Sequence, residues 1–256
     1  MQLPLIPRGM PARAWPPALA TRGPGGPCAW HSHHSLRFAL ALDGEVRIRT
    51  ARQGKWSSAP GVLTAPDSAH VLDAQGAELL LVFLDPESVS GSPFRDVLSG
   101  PVRLISDAER NALTRDVVPR TILRSGATAW AGQAAEILGL PAPDAARSVH
   151  PRVRALLSLL RNRGINDTTS LEVLAAAVGL SPSRLMHVFT SSVGIPLRPY
   201  LAWLRVQRAA IEIVSGNSLT EAAFTAGFSD AAHMSRTFRR MLGIPPSLLR
   251  AMRCST

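Results

Sequence analysis

Two stretches of this chain repeat one plan: a short capped helix, a glycine turn and a second helix. In the downstream copy, Ser218 stands three residues before Glu221. That is the spacing of a capping box, in which each side chain satisfies the other's free backbone N–H. Leu219, Ala222, Ala223 and Ala226 recur at helical spacing, and Gly227 supplies the left-handed residue that ends a helix. Ser229 is placed to cap a second helix with apolar positions Met234, Phe238 and Met241. Upstream, Thr169 or Ser170 caps a helix whose inward positions are Leu171, Leu174, Ala175 and Val178. Gly179 turns it, and Ser181-Pro182 opens a helix with Leu185, Val188 and Phe189 apolar. Gly179 and Gly227 are 48 residues apart, and Phe189 and Phe238 are 49 apart. A helix-turn-helix inserts its second helix into the DNA major groove. Between the copies, Tyr200 to Val214 is one uninterrupted helical pattern of roughly four turns. A rigid helix of that length would set two recognition helices about one DNA turn, roughly 34 Å, apart. One chain would then do what a repressor dimer usually does.

Charge is distributed in keeping with that expectation. From Pro151 onward lie 13 of the 28 basic and 5 of the 18 acidic residues, so this part carries +8, against +2 for the first 150 residues. A basic C-terminal region is the footprint expected for a phosphate backbone. Nearly all of the positive charge is Arg, which suits bidentate phosphate and guanine contacts. The longest apolar run, Leu79 to Leu84, is far too short to span a bilayer. Met1 to Gly26 is rich in Pro and Arg but lacks the apolar core of a signal peptide, so a cytoplasmic protein with a flexible arm over 1–24 is expected. Cys28 and Cys254, at opposite ends, make neither a disulfide framework nor a zinc cluster.

From Gly25 to Pro86 the pattern changes to β. Short apolar runs at Leu36–Leu42, Val46–Arg49, Gly61–Ala65 and Glu78–Leu84 are separated by Asp43-Gly44, Gln53-Gly54, Pro60-Gly61 and Gln75-Gly76. Asp43-Gly44 is a hairpin signal, and several short strands with regular turns predict a small barrel or jelly roll. Ser106 and Glu109 form another capping box, opening a helix through about Val117, and a second helix spans Ala127 to Leu138 before Gly139 and Pro141. The domain plan is a β-rich domain with two helices over 25–140, a linker over 141–150, and an all-α domain over 151–256 with helix-turn-helix units at about 169–191 and 218–241. The fold class is α+β.

In the C-terminal part, LxxLAxxVGLSxSRLxxxF, then VGIPLRPYLAWLRVQRA, then SLTEAAFTAGFSDAAHMSRTFRRMLGIPPS resemble the DNA-binding domain of AraC/XylS-type transcription regulators, over about Pro151 to Arg250. Upstream, HSHHS, DPES and the PDSAH segment look, more weakly, like the family's cupin-type sensor domains, which makes 25–140 a cupin-like sensor and dimerisation domain by resemblance. The resemblance implies seven helices and two motifs reading adjacent major grooves. It also implies a bacterial regulator whose partners are double-stranded DNA, a second copy in a homodimer, a small-molecule effector and RNA polymerase. No cofactor and no catalytic residue are implied. The competing reading is a cupin-type metal-dependent enzyme carrying a DNA-binding tail; a purely architectural DNA binder would need no separate β domain. No G-x-S-x-G, P-loop or dinucleotide fingerprint offers other chemistry.

On the first recognition helix Leu185 and Val188 face the core, leaving Ser183, Arg184, Met186 and His187 outward. By resemblance Ser183, Met186 and His187 fall where the family reaches bases. On the second, Ala231, Ala232, His233, Ser235 and Arg236 are left exposed by Met234 and Phe238. Arg236 is the foremost base-contact candidate, because Arg pairs bidentately with guanine O6 and N7. Ala231 and Ala232 suit either a thymine methyl or close backbone packing, and His233 completes the base-contact set. Arg184, Arg198, Arg205, Ser235, Arg239 and Arg240 are phosphate candidates. In the β region, Gly25, five residues, then His31-Ser32-His33 matches the opening of the cupin metal motif, with His70 near a third ligand position. The glutamate of that motif is missing: Arg37 and Phe38 stand there, and an Arg repels a cation. His31, His33, Phe38, His70 and Phe83 are therefore expected to line an effector pocket rather than hold a metal.

Overall fold

The computed structural model describes residues 18–95, 98–115, 127–140, 149–162 and 170–251. They fall into two compact units, one containing the described residues of 18–140 and 238–251, the other those of 149–237. Of the expected linker over 141–150, residues 141–148 lie outside the described residues, as do residues 1–17 of the expected arm over 1–24.

The strands of the first unit are β1 (Ala18–Pro24), β2 (Leu36–Ala41), β3 (Val46–Arg49), β4 (Ser57–Ala59), β5 (Gly61–Thr64), β6 (Val71–Asp73), β7 (Glu78–Leu84) and β8 (Val102–Ile105). Its helices are α1 (Ser92–Arg95), α2 (Asp107–Thr114) and α3 (Ala127–Ile137). β1 corrects the flexible-arm expectation for 18–24. It pairs antiparallel with β7, Ala18 opposite Leu84, and Arg22 donates to both oxygens of Glu78 at 2.6 and 2.8 Å.

The strands make two open sheets, β1-β7-β2-β5-β8 and β4-β3-β6, rather than a closed barrel. Side-chain alternation sorts the five-stranded sheet into two faces. Leu36, Phe38, Leu40, Leu80, Val82 and Leu84 pack with Phe94, Leu113, Trp130 and Ala134 of the three helices. Ala39, Ala41, Val62 and Leu79, on the other face, meet Val46, Ile48 and Leu72 of the smaller sheet. Asp43-Gly44 is not a hairpin turn. It carries the chain from β2 into the other sheet, with Gly44 at φ 69° and the Asp43 carboxylate accepting from the Glu78 N–H at 2.8 Å. The hairpin lies one turn later, between β3 and β4. α2 opens with both arms of the Ser106–Glu109 capping box in place.

The second unit is helical: α4 (Pro151–Asn162), α5 (Leu171–Ala177), α6 (Pro182–Val193), α7 (Leu197–Ser215), α8 (Leu219–Thr225) and the start of α9 (Ala231–Leu242); α10 (Pro246–Ala251) follows. Val153, Leu156, Leu160, Leu174, Leu185, Phe189 and Tyr200 form one core, with the Phe189 and Tyr200 rings edge to face at 5.3 Å. α7 runs 19 residues, about 28 Å. Arg208, buried on α7, donates to the Leu160 carbonyl at 2.6 Å and so ties α7 to the last turns of α4. α8 carries the expected reciprocal box: the Ser218 N–H donates to the Glu221 carboxylate at 2.8 Å, and the Glu221 N–H to Ser218 Oγ at 3.2 Å. Ser218→Ala should therefore destabilise this unit by about 1 kcal/mol, read as a lower urea midpoint with an unchanged slope; no shift would show the box to be redundant.

Candidate DNA interface and the buried histidine–arginine cluster

In each helix-turn-helix a glycine makes the turn possible. Gly179 and Gly227 have φ of 64° and 80°, a region that side-chain-bearing residues seldom enter. After the first turn, Ser181 Oγ accepts from the Arg184 N–H at 3.3 Å and Pro182 takes the first helical position, which fixes the start of α6. Leu185, Val188, Phe189 and Val193 are buried, so Ser183, Arg184, Met186 and His187 are all exposed, as their spacing requires. Met186 is an exposed apolar side chain beside a serine and a histidine, a surface suited to base edges and thymine methyls.

α9 departs from expectation at its start. The cap is Asp230 rather than Ser229: its carboxylate accepts from the His233 N–H at 2.6 Å, and its carbonyl accepts from Met234 N–H. Ser229 donates to the Asp230 carboxylate at 3.0 Å and lies 3.2 Å from His233 Nδ1. Hydrogen bonding from the His233 N–H and from Ser229 holds the Asp230 carboxyl below its ordinary range. The His233 ring also stands edge-on to Phe228 at 5.3 Å. His233 is thus half-buried and engaged in the turn, and Ala231 and Ser235 are likewise half-buried. Ala232 and Arg236 are exposed on this face, with Arg239 and Arg240 beyond. Of the other phosphate candidates, Arg198 is exposed and Arg205 half-buried.

The β unit gathers the other set of candidates. His31 and His70 form an antiparallel bridge, each backbone N–H donating to the other's carbonyl at 2.9 Å, so their rings emerge side by side with centroids 4.3 Å apart. Alternation puts His33 on the same side, 5.7 Å from His31, with Phe83 5.8 Å from His33. Phe38 is not brought to this cluster. It lies on the opposite face of β2, between Phe94 and Trp130.

Donor atoms of His31, His33 and His70 come within 4.8 Å of one another, the arrangement a metal would use. Arg37 occupies its edge. Nη1 donates to His31 Nε2 at 3.2 Å and Nη2 to His70 Nε2 at 2.5 Å. The Nδ1 atoms of these rings donate to the Ala29 and Ser68 carbonyls, each at 2.8 Å, which leaves Nε2 as a bare acceptor and the rings neutral. Burial, with Arg37 next, pushes His31 down to about 4 and His70 further, and holds His33 well below its ordinary value. Burial also lowers Arg37 to about 10, which still leaves it charged at neutral pH. A resident cation would face this guanidinium directly.

His34 points the other way and shows the opposite electrostatics. Burial alone would lower it, but Asp67 at 2.6 Å and Glu87 at 3.1 Å take both ring nitrogens and raise it to about 9. Asp67 belongs to the PDSAH segment and Glu87 to DPES, so three separated sequence features meet in one ion cluster.

Comparison with known proteins first places the class. Residues 174–252 match the family described as a helix-turn-helix domain. The C-terminal part of the chain is thus a helix-turn-helix domain, similar to those of AraC-type regulators. Among curated proteins it is 28% identical to the arabinose operon regulatory protein of Escherichia coli (strain K12) over 109 residues, which is 41% of this chain and 37% of that protein. It is 32% identical over 89 residues to an uncharacterised HTH-type transcriptional regulator of Staphylococcus aureus (strain MSSA476), covering 34% of this chain and 12% of that protein. The chain thus spans well under two thirds of these relatives. Over 94% of this chain and 99% of the other, the fold is similar to apo ToxT K231A from Vibrio cholerae, with a TM-score of 0.64 and 9% identity. Wild-type ToxT solved with an unsaturated fatty acid bound gives 0.60 at 10% identity, over 93% and 96%. The shared fold has two domains, and no cupin barrel is closed in the described residues. No single described helix is long and apolar enough to cross a membrane.

Proposed function

We propose that the protein is a sequence-specific transcription regulator whose β unit senses a small molecule. The observation that carries this reading is the pair of capped helix-turn-helix units, 48 residues apart, each presenting a recognition helix with an exposed face of base- and phosphate-competent residues. The regulator names of the matched relatives, and a fatty acid bound to a protein of this fold, support the two halves of the reading. Ser183, Met186, His187, Ala232 and Arg236 read bases in this account, and Arg184, Arg198, Arg239 and Arg240 position the phosphates. Within the same reading the β unit is cupin-like, the protein acts as a homodimer in the bacterial cytoplasm, and RNA polymerase is a partner. Regulation is favoured over the alternative of a metal-dependent cupin enzyme with a DNA-binding tail, because the Arg37 guanidinium bonds the His31 and His70 Nε2 atoms that would ligate a metal.

Sequencing the DNA bound to the protein in cells tests it. A recurring motif with two half-sites about one helical turn apart is expected, and that fragment should be retarded in preference to its scrambled version; uniform coverage would sink the reading. Arg236→Ala should weaken binding to the recovered site by about 1–3 kcal/mol and relax preference at one base pair. Equal losses on cognate and scrambled DNA would instead make Arg236 a phosphate contact.

A further inference from the structure

Arg37 is a buried cation with no counterion among the described residues. Its hydrogen-bond partners are two neutral imidazoles, His31 at 3.2 Å and His70 at 2.5 Å, and its Nε has no hydrogen-bond partner there. The buried cationic group near it in sequence is treated differently. The imidazolium of His34 has the carboxylates of Asp67 and Glu87. A guanidinium stripped of water and left without an anion is strongly disfavoured unless something of opposite charge completes the site.

The geometry around it is built rather than accidental. The backbone bridge between His31 and His70 sets the two rings beside each other, and the Ala29 and Ser68 carbonyls fix their tautomers, so both Nε2 lone pairs converge on the guanidinium. The fork of Arg37 is thereby held in one orientation. Its position on β2, between Thr64 of β5 and Phe83 of β7, puts it on the face that looks toward the smaller sheet, away from the Phe38 core.

We infer that Arg37, held by His31 and His70, is the recognition point for a monoanionic carboxylate inside the β unit, and that the effector is therefore a carboxylic acid. One fixed guanidinium among neutral rings carries a single positive charge, which one carboxylate balances and a phosphate dianion would exceed. A planar fork also matches the two oxygens of a carboxylate, which can displace or share the imidazole acceptors and take up the Nε–H. The ring of Phe83, close to His33, offers an apolar neighbour to the remainder of such a molecule. The effector class rests on the sensor reading above, while the anion site itself rests on Arg37.

The test is thermal unfolding of the full chain in a low-chloride buffer, titrated with formate, acetate, benzoate and decanoate, each against its neutral amide. At least one carboxylate should raise Tm by roughly 2–4 °C where its amide does not. Arg37→Met should lose that response, and Arg37→Lys, which keeps the charge but not the fork, should respond at least several-fold more weakly in concentration. If Arg37→Met does not fold, the contrast between wild type and Arg37→Lys decides. Carboxylates no better than their amides, or an unimpaired response in either variant, would overturn the inference. So would a stoichiometric metal ion in the purified protein that is lost in His31→Ala. Retardation of the cognate DNA by the same preparation separates the two readings: intact DNA selectivity with no carboxylate response sinks this inference alone.

Discussion

Phe189→Ala should destabilise the helical unit by about 3–5 kcal/mol, enough to abolish DNA retardation at growth temperature. The ring is fully buried where α4, α5, α6 and α7 converge, and it stands edge to face with Tyr200, which is itself 1% exposed. Truncation removes the transfer energy of the ring and leaves a void that rigid helices close only in part. The aromatic pairing beyond simple burial is lost as well, about 0.5–1.5 kcal/mol of the total. Urea unfolding followed by far-ultraviolet circular dichroism reads the effect, with Phe189→Leu expected to recover most of it. A midpoint within error of wild type would mean that the first helix-turn-helix is not held by this core.

A second large effect is expected from pH. His34 is charged in the folded state because Asp67 and Glu87 raise its pKa to about 9 against an ordinary 6.5, despite burial. A raised folded-state value means that the clamp contributes fully below pH 6.5 and that its contribution is lost as pH rises through about 9. The contribution at neutral pH and below is on the order of 3 kcal/mol. Unfolding midpoints should therefore fall between pH 7 and pH 9.5 in the wild type and stay nearly flat in His34→Asn. Parallel falls in both proteins would assign the alkaline loss to other groups. Glu87→Gln should lower the stability at pH 7 and shift the wild-type profile toward acid, because Glu87 is as buried as the ring it faces.

Much of this architecture is legible along the chain, and the exceptions have physical causes. Strands at 36–41, 46–49, 61–64 and 78–84 follow from short apolar runs between turn residues, and both capping boxes follow from a serine three residues before a glutamate. β1 does not follow. Ala18 to Pro24 has no alternation of its own, and it is a strand because β7 offers it an unpaired edge and Glu78 a partner for Arg22. Asp43-Gly44 gives the right local bend but cannot say which strand its neighbours will join, since pairing is decided by residues far away in sequence. Alternation correctly puts His31 and His33 together, yet only the same rule applied to β2 would have sent Phe38 to the opposite face from Arg37. The meeting of Arg37 with His31 and His70, and of His34 with Asp67 and Glu87, depends on chain crossings that no local spacing encodes.

The pairing of β1 with β7 has a consequence for how the molecule comes into being. Ala18 meets Leu84 across 66 residues of chain, and β2 meets β7 across 38 to 48, so the sheet cannot assemble until its seventh strand has been made. The helical unit draws mostly on neighbours near in sequence, and chains rich in such local encounters reach their native state faster by orders of magnitude. The half that leaves the ribosome first is therefore the half that finishes slowly. A nascent chain stalled before Glu78 would hold β2 without its β7 partner, exposing a strand whose six residues, Arg37 among them, are all buried in the finished fold to whatever chaperone stands at the exit.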